Sequence, residues 1–408
     1  MQMPPARDYF TDPSILQDPY QYFEALREKG PVHQLPGRDI FVVTGFDESL
    51  EVLNNTADFS SLVAAGGLTA PLPFTQAGDD LTAQIEAHRH EVPGADLLAA
   101  RDGTAHGNAR VLLAGLFTPS RLKTSADYMT GLAETLVTAA VARGRCDLIK
   151  EIAAPFAMLG IAGLLGVPAA GREHFVAAIA AGGPLEVIAG FFETYLAARR
   201  HSPRGDVLSE LATAGFPDGT IPDLAELVRL ATYLFGAGQD TTAKLLGNAM
   251  RLIIEQPGLQ AQLRAAPALL PAFLEEALRL EGVFKLTARL ARKASVLGGV
   301  AIPIGAKIMV ALAAANRDPR RWDYPRNFAL NRPSIEAHLA FGHGAHACIG
   351  APLARAAARI MLAKLLEQTA HIDLDTAVHG KRRYRHFVYD PSFFMRGLET
   401  MQLILQPH

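Results

Sequence analysis

The sequence predicts a mainly α fold of one domain in which small β-sheets form a minor part. Apolar residues recur at spacings of three and four over several long stretches, whereas strand patterns are few and short. The 408 residues contain no Ser/Gly-rich connector, charge block or repeat, and the 26 prolines are scattered along the chain. We therefore expect residues 1–408 to form a single domain.

The periodic patterns place the elements along the chain in order. Helices are expected at 20–29, 107–117, 129–142, 224–256, 270–280 and 353–367. Strands are expected at 40–44, 307–312 and 401–405, with a glycine-turned hairpin at 297–305 and a further strand at 283–288. Residues 60–102 show no firm period, and irregular segments of that length are usually lids or binding loops.

Residues 152–171 carry no charge and are long enough to span a bilayer. Pro155 near their start and Pro168 near their end limit a helix to about three turns, and the charges on the two flanks show no positive-side asymmetry. The stretch is therefore predicted to be a buried core helix.

Charge and cysteine content exclude several classes of protein. A net charge of −2 with 20% charged residues argues against nucleic acid or an anionic membrane as the main partner, and two cysteines argue against a disulfide scaffold. The first residues, MQMPPARDYFTDPS, show neither a basic nor an apolar signal region. A cytoplasmic protein is expected.

The segment FGHGAHACIG, residues 341–350, precedes a predicted helix that has one apolar face. Cys348 lies just ahead of that helix, whose N–H groups and dipole should lower the pKa of the thiol. A thiolate there is a nucleophile or a metal ligand. Gly342, Gly344 and Gly350 omit the side chains that would keep a large flat group away, and cysteine is a standard axial ligand of haem iron.

Two alternatives exist for these residues. A zinc site made of His343, His346 and Cys348 would be incomplete, because no distant CxxC or HxxxH supplies further ligands. A buried structural cysteine is the simpler alternative, and it suits Cys146 better than Cys348.

The segment resembles the cysteine-ligand loop of the cytochromes P-450, whose pattern is FGxGxHxCxG. All six specified positions match, namely Phe341, Gly342, Gly344, His346, Cys348 and Gly350. The resemblance implies that Cys348 binds the iron of haem b (iron protoporphyrin IX). It also implies the cytochrome P-450 fold, with haem between the long central helix and the helix that follows the cysteine.

FGAGQDTT, residues 235–242, is expected to interrupt the predicted long helix, because glycines weaken it and threonine hydroxyls can bond to carbonyls of the preceding turn. The glycines would let a ligand lie against the backbone. The segment resembles the family's oxygen-activation motif, with Ala237, Gly238, Asp240 and Thr241 in register. The resemblance implies that Thr241 stabilises bound dioxygen and Asp240 helps to deliver protons. Without the resemblance, a glycine-kinked core helix would fit equally well.

Further residues match the family by their register. Glu276 and Arg279 match its ExxR pair, which together with Arg332 would form a structural ion network near the cysteine loop. The candidates for contacts to the haem propionates are His106, Arg110, Arg289 and His346. Val283 stands where the family usually has proline, which weakens expectations for the strand that follows.

The resemblance implies a monooxygenase that hydroxylates a small-to-medium hydrophobic molecule, such as a terpenoid, steroid or aromatic compound, with O2. Predicted substrate contacts lie in the segments 71–98 and 184–192 and at Tyr233, Ala237, Val283, Phe284, Leu286, Phe393 and Phe394. A carboxylate of the substrate could equally be anchored by His88, Arg89, His90 or Lys285.

Two electrons are expected from a separate ferredoxin or flavodoxin with its reductase, because the chain ends soon after its last strand. Arg121, Arg355 and Arg359 would make the cysteine face attractive to such an acidic partner. Two other functions stay open, a peroxide-driven peroxygenase and a thiolate-haem sensor without enzymatic activity. Asp240 and Thr241 speak against the first, and the absence of a recognisable signalling segment in the sequence speaks against the second.

Overall fold

The computed structural model describes residues 7–169, 171–172 and 185–408. Residues 1–6, Ala170 and Pro184, which belong to segments discussed above, lie outside these ranges. Contacts between residues group the chain into two compact units. The first unit contains Met1–Ala100, Glu275–Ala347 and Phe387–Glu399, and the second contains Arg101–Leu274, Cys348–His386 and Thr400–His408. That residues 1–408 form one domain stays a prediction.

Helices make up most of the regular structure in the described residues. The α-helices are Pro13–Gln17, Tyr20–Arg27, Phe46–Asn54, Thr82–His88, Gly103–Ala114, Pro119–Arg143, Ala154–Leu164, Leu185–His201, Val207–Thr213, Leu224–Glu255, Leu259–Ala265, Leu270–Leu280, Leu312–Ala315, Ala351–Gln368 and Thr376–His379. We call Leu224–Glu255 the long helix and Ala351–Gln368 the cysteine helix.

The strands are short. In chain order they are β1 (Val32–Gln34), β2 (Ile40–Val43), β3 (Phe59–Ser60), β4 (Arg145–Asp147), β5 (Thr287–Ala291), β6 (Ser295–Leu297), β7 (Val300–Ile302), β8 (Lys307–Val310), β9 (His371–Leu374) and β10 (Gln402–Gln406).

The first unit is built on a five-stranded sheet in the order β1-β2-β8-β5-β3, in which only the β2–β8 pair is parallel. Because successive side chains point to opposite faces of a strand, the sheet supports an apolar core on each side. Val42 and Met309 belong to one core, and Val43 and Ile308 belong to the other. The predicted hairpin is present as β6 and β7, with a turn at two glycines of positive φ.

In the second unit the long helix spans 32 residues, about 48 Å at 1.5 Å per residue. It packs against Ala154–Leu164, Leu185–His201 and the cysteine helix. The cysteine helix also packs against Pro119–Arg143. Strands β4, β10 and β9 form a separate antiparallel sheet in that order.

The uncharged stretch behaves as expected in its described part. A π-helical turn, Leu148–Ala153, leads into Ala154–Leu164, where Pro155 occupies the first turn and most side chains are buried. Among the described residues, no helix combines the length and the apolar character that crossing a bilayer requires.

Two strand predictions were wrong at their ends. β8 stops at Val310, and Leu312 begins a short helix instead of ending the strand. The strand expected at 283–288 begins only at Thr287. The preceding residues bond elsewhere, because Lys285 N–H donates to Phe394 O at 2.9 Å and Arg396 N–H donates to Val283 O at 2.7 Å.

Candidate functional site

The cysteine loop ends where the cysteine helix begins. Gly350 is the N-cap of that helix, and Pro352 lies in its first turn, where a missing N–H costs nothing. Gly342 and Gly344 each adopt φ +68°, a left-handed conformation that favours glycine. The turn Gly344–His346 then leads to Cys348.

The Cys348 side chain is accessible to solvent, yet protein atoms surround it closely enough that burial raises the pKa of the thiol. The N–H groups of Gly350 and Ala351 and the charges of Arg110 and Arg355 oppose that rise but do not overcome it. The helix terminus therefore acts on this pKa in the expected direction, but burial outweighs it and the net pKa is raised. A sulfur that is both accessible and deeply surrounded borders a recess.

The three glycines serve different purposes. A Cβ on Gly350 would lie 3.9 Å from Cys348 Sγ, and one on Gly342 would meet only a carbonyl oxygen at 3.8 Å, so both leave room beside the loop. A Cβ on Gly344 would lie 2.9 Å from Leu53 O and 2.7 Å from Asn54 Oδ1. Gly344 therefore permits packing on Phe46–Asn54, and its role in clearing space for a ligand stays a prediction.

The histidines of the loop have separate partners. His346 Nε2 lies 3.0 Å from Ser61 Oγ, and His343 Nδ1 lies 2.9 Å from Asn54 Oδ1. Among the described residues there is no group of three or more His, Cys, Asp or Glu side chains that could hold a metal ion. The zinc alternative has no support in this arrangement. Phe341 lies against His338, with ring centroids 6.3 Å apart.

The remaining propionate candidates lie on a helix and a strand. His106 and Arg110 are one turn apart on Gly103–Ala114, and His106 is buried. Arg110 is close enough to Cys348 for its charge to favour the thiolate. Arg289 is buried in β5, where it donates to Ala288 O at 2.8 Å.

The oxygen-activation candidates lie on an unbroken helix. The long helix is continuous from Leu224 to Glu255, so the predicted interruption is absent. Thr241 Oγ1 donates to Ala237 O at 2.7 Å, the contact to the preceding turn that was expected, and the helix accommodates it. A Cβ on Gly238 would lie 3.0 Å from Ile161 Cγ1. Gly238 therefore allows close helix packing, and its place beside a ligand stays a prediction.

Asp240 is paired with a residue that the motif did not indicate. Lys244 Nζ donates to Asp240 Oδ1 at 2.5 Å, and the Asp240 side chain is 44% exposed. Spacing i, i+4 is a pairing signal that the sequence does contain. Ser61, the partner of His346, carries no such signal.

Glu276, Arg279 and Arg332 form one buried network. Arg279 makes two hydrogen bonds to Glu276, at 2.7 and 2.8 Å, and Arg332 Nε lies 3.0 Å from the same carboxylate. The Glu276 side chain has no exposed surface. The arginines also donate to four backbone carbonyls, which belong to Asn316, Asp323, Pro325 and Asn327.

The candidate substrate contacts are found in both units. Tyr233 and Ala237 lie on the long helix, Val283 and Leu286 are buried, and Phe284 meets Phe394 edge to face at 5.2 Å. Phe393 packs against Phe10 at 5.3 Å. Ala237 is the most exposed of the seven.

Three of the charged alternatives already have partners. Lys285 donates to two carbonyl oxygens, Arg89 pairs with Glu86, and His88 lies 2.6 Å from a carboxylate oxygen of Glu91. His90 is exposed at 3.9 Å from Glu91. These contacts give little support to the anchoring of a substrate carboxylate.

The donor set fits an iron porphyrin. An accessible sulfur, space beside Gly350 and a nearby guanidinium from Arg110 match the needs of an axial thiolate ligand and an anionic propionate edge.

Comparison with known proteins identifies the family of the chain. The cytochrome P450 family profile matches residues 206–373, which include the long helix and Cys348. Cytochrome P450 144 of Mycobacterium tuberculosis is 31% identical over 98% of this chain and 92% of its own. Cytochrome P450 monooxygenase PikC of Streptomyces venezuelae is 32% identical over 95% of this chain and 91% of its own. The substrate-free structure of Mycobacterium marinum cytochrome P450 CYP150A6 is 43% identical, covers 98% of each chain and superposes with a TM-score of 0.96.

Proposed function

Since this chain belongs to the cytochrome P450 family, and is thus a haem b monooxygenase with that family's mainly α fold, we propose that it hydroxylates a small-to-medium hydrophobic molecule, such as a terpenoid, steroid or aromatic compound. The single observation that carries the proposal is the accessible sulfur of Cys348 at the start of the cysteine helix. O2 is the second substrate, and a redox partner supplies two electrons.

Cys348 would hold the iron through its sulfur. His106, Arg110, Arg289 and His346 would bind the propionates. The bound haem supplies the activation of dioxygen and the insertion of one oxygen atom into a C–H bond. The protein contributes a ligand, charge complementarity and control of protons.

Thr241 and Asp240 are the proposed proton-handling pair. Thr241 directs its hydroxyl hydrogen to Ala237 O, so its oxygen retains lone pairs that can accept a proton from another donor. Asp240 is held by Lys244, and it must leave that ammonium before it can pass a proton to Thr241. We therefore assign Asp240 the role of proton carrier and Thr241 that of relay.

The substrate is proposed to be largely apolar. The aromatic candidates pack edge to face with one another, whereas Lys285, Arg89 and His88 are engaged with protein groups. Side chains of that composition favour an apolar ligand, because its binding removes apolar surface from water.

The proposed electron donor is an acidic ferredoxin or flavodoxin with its reductase. Arg359 on the cysteine helix is exposed and Arg355 is partly so, whereas Arg121 already pairs with Glu210. Arg359 is therefore the best candidate for contact with such a protein.

The test is a ligand screen on purified holoprotein, with terpenoid, steroid and aromatic compounds added while the Soret band is recorded. We expect at least one class to shift the band and to be oxidised when NAD(P)H, reductase and ferredoxin are present. The reduced carbon monoxide complex should show the absorption of a thiolate-ligated haem, and Cys348→Ala should abolish it.

The same assay separates the alternatives. Turnover with hydrogen peroxide alone, at the rate reached with the redox chain, would indicate a peroxygenase. Ligands that shift the band but are never oxidised would indicate a sensor.

A further inference from the structure

Lys285 is a fully buried lysine in the first unit. Its Nζ donates to Leu16 O and to Ser392 O, each at 2.6 Å. Its own N–H donates to Phe394 O at 2.9 Å. Within the described ranges no carboxylate lies within ion-pair distance of its Nζ. The ammonium therefore joins two backbone segments and neutralises no anion.

One of these segments carries the aromatic substrate candidates. We call residues 389–396 the aromatic loop. Ser392 Oγ accepts hydrogen bonds from the N–H groups of Phe394 and Met395, at 3.1 and 3.0 Å, which closes a tight turn. The Lys285 ammonium binds the carbonyl at the start of that turn. The orientation of Phe393 and Phe394 thus depends on where Ser392 is held.

Three other side chains anchor the loop. Gln17 Nε2 donates to Tyr389 O at 2.8 Å, and Gln17 Oε1 accepts from the N–H of Tyr389 at 3.0 Å. Tyr9 donates its hydroxyl to Phe393 O at 2.8 Å, and Arg396 Nε donates to Glu281 Oε2 at 2.9 Å. Burial raises the pKa of Tyr9 well above its usual value. Burial opposes the charge of Arg396, but Glu281 together with Tyr20 and Tyr389 more than offsets it, so that the pKa of Arg396 is raised. Neither of these two groups changes its charge near neutral pH.

Lys285 differs from those anchors. Burial lowers its pKa to about 7, and the charge of Arg396 acts in the same direction. Asp18 and Asp390 favour the ammonium but do not compensate. Tyr20, nearby on the same segment as Asp18, has a pKa raised to about 12 by burial and stays neutral. Of these anchors, only Lys285 therefore has a pKa near neutrality.

We propose that Lys285 is a positioning residue for substrate selection, whose ammonium holds the aromatic loop so that Phe393 and Phe394 present fixed rings to the substrate. Both bonds come from a charged donor, so removing the ammonium by substitution should loosen the loop. The inference rests on the proposed function only in taking these rings as substrate contacts. The hydrogen bond between Lys285 and the loop does not depend on the proposed function.

The hydrogen bond between Lys285 and the aromatic loop is tested by amide hydrogen exchange of the holoprotein. Lys285→Met keeps the length and apolar stem of the side chain and removes the donor. We expect exchange in residues 389–396 to accelerate by roughly tenfold, corresponding to the loss of hydrogen bonds from a charged donor. Lys307→Met is the matched control, since Lys307 is also a buried lysine but donates to Ala70 O. It should leave exchange in residues 389–396 unchanged.

The role of Lys285 in substrate selection is tested by the ratio of the dissociation constants of imidazole and 4-phenylimidazole, both read from the Soret band. Imidazole reports the iron alone, whereas the phenyl ring reports the surrounding side chains. Measured at one pH, so that protonation of the probes cancels, the preference for 4-phenylimidazole is expected to be roughly fivefold lower in Lys285→Met than in the wild type, because the hydrogen bonds from the charged donor are lost. Lys307→Met should keep the wild-type ratio.

The outcomes separate the two proposals. If neither probe shifts the Soret band, the proposed function fails, and the exchange result still tests the hydrogen bond between Lys285 and the loop. Unchanged exchange in Lys285→Met, or an unchanged ratio, overturns the role of Lys285. Should Lys285→Met not fold, Lys285→Gln, which keeps a neutral donor, is compared with the wild type in the same two assays. Wild-type values in both assays would then overturn that role.

Discussion

Lys244 Nζ donates to Asp240 Oδ1 at 2.5 Å, one turn further along the long helix. The ammonium is mostly buried, with 11% of the lysine side chain exposed, whereas the aspartate side chain is 44% exposed. The proposed proton carrier is thus held on its own helix by a partner four residues away. A solvent-accessible carboxylate can take up a proton from water and release it inside, provided that this pair opens.

Asp240→Asn should slow substrate oxidation by roughly 100-fold, because positioned acids contribute at least that much to proton transfer. Ligand-induced Soret shifts and the reduced carbon monoxide spectrum should stay as in the wild type, since the residue is not an iron ligand. Single-turnover product formation measures the change. Oxidation at the wild-type rate would remove Asp240 from the mechanism.

Lys244→Met is the matched variant, because it opens the pair and retains the carboxylate. Oxidation should stay within about threefold of wild type, and the free energy of unfolding should fall by no more than about 1 kcal/mol, as for a partly exposed ion pair.

Glu276→Gln should lower the free energy of unfolding by about 3–5 kcal/mol. The change leaves two buried guanidinium groups without their carboxylate, and breaking a buried ion pair in this way is strongly destabilising. Denaturant unfolding measures it. Arg326→Ala is the control, because Arg326 pairs with Glu24 at 2.9 Å while 68% of its side chain is exposed. Its cost should stay below about 1 kcal/mol, and a similar loss in both variants would contradict the assignment.

Long amphipathic helices were predictable because periodicity accumulates over many residues. The long helix and Leu270–Leu280 match their predicted bounds within one residue, and the cysteine helix begins where Gly350 and Pro352 indicated. β3 has two residues and β4 has three, too few for an alternating pattern to be recognised. Their pairing depends on partners more than 200 residues away.

The motifs identified the residues of the site but not their neighbours. Gly238 and Gly344 match the expected pattern, yet each makes room for a protein group from a distant segment. The contact of His346 with Ser61 joins residues 285 apart and has no local signature. The buried environment that raises the pKa of Cys348 is likewise a property of the packed chain. Local chemistry is therefore readable from the sequence, whereas solvation and clearance are not.

Gly238→Ala should lower the free energy of unfolding by about 1 kcal/mol, because the new methyl group would lie 3.0 Å from Ile161 Cγ1 and overpacking outweighs the gain in helix propensity. Gly190→Ala is the control, since a Cβ on this exposed helical glycine meets nothing within 4 Å. It should stabilise the protein by about 0.5–1 kcal/mol. Equal stabilisation of both variants in thermal unfolding would show that Ile161 yields freely.

Arg359→Glu should slow reduction by an acidic ferredoxin roughly tenfold at low salt, because charge reversal at a contact opposes the encounter. The difference should shrink as ionic strength rises. Arg383→Glu makes the same change in net charge at an exposed arginine outside the cysteine helix. Stopped-flow reduction rates that respond equally to both changes would argue against docking at Arg359.

The pH dependence of stability should carry the signature of Lys285. Burial lowers its pKa from 10.5 to about 7 in the folded protein, so between these values the unfolded chain binds more protons than the folded one. The free energy of unfolding should therefore rise with pH across this window, with a contribution from Lys285 of up to ~1.4 kcal/mol per pH unit. Below pH 7 the lysine is protonated in both the folded and the unfolded chain, so its contribution no longer changes with pH. Lys285→Met removes the titrating group while the other groups continue to titrate. The difference between wild type and variant, measured by denaturant unfolding from pH 6 to pH 10, isolates the contribution of Lys285. A difference that stays constant over that range would contradict the lowered pKa of Lys285.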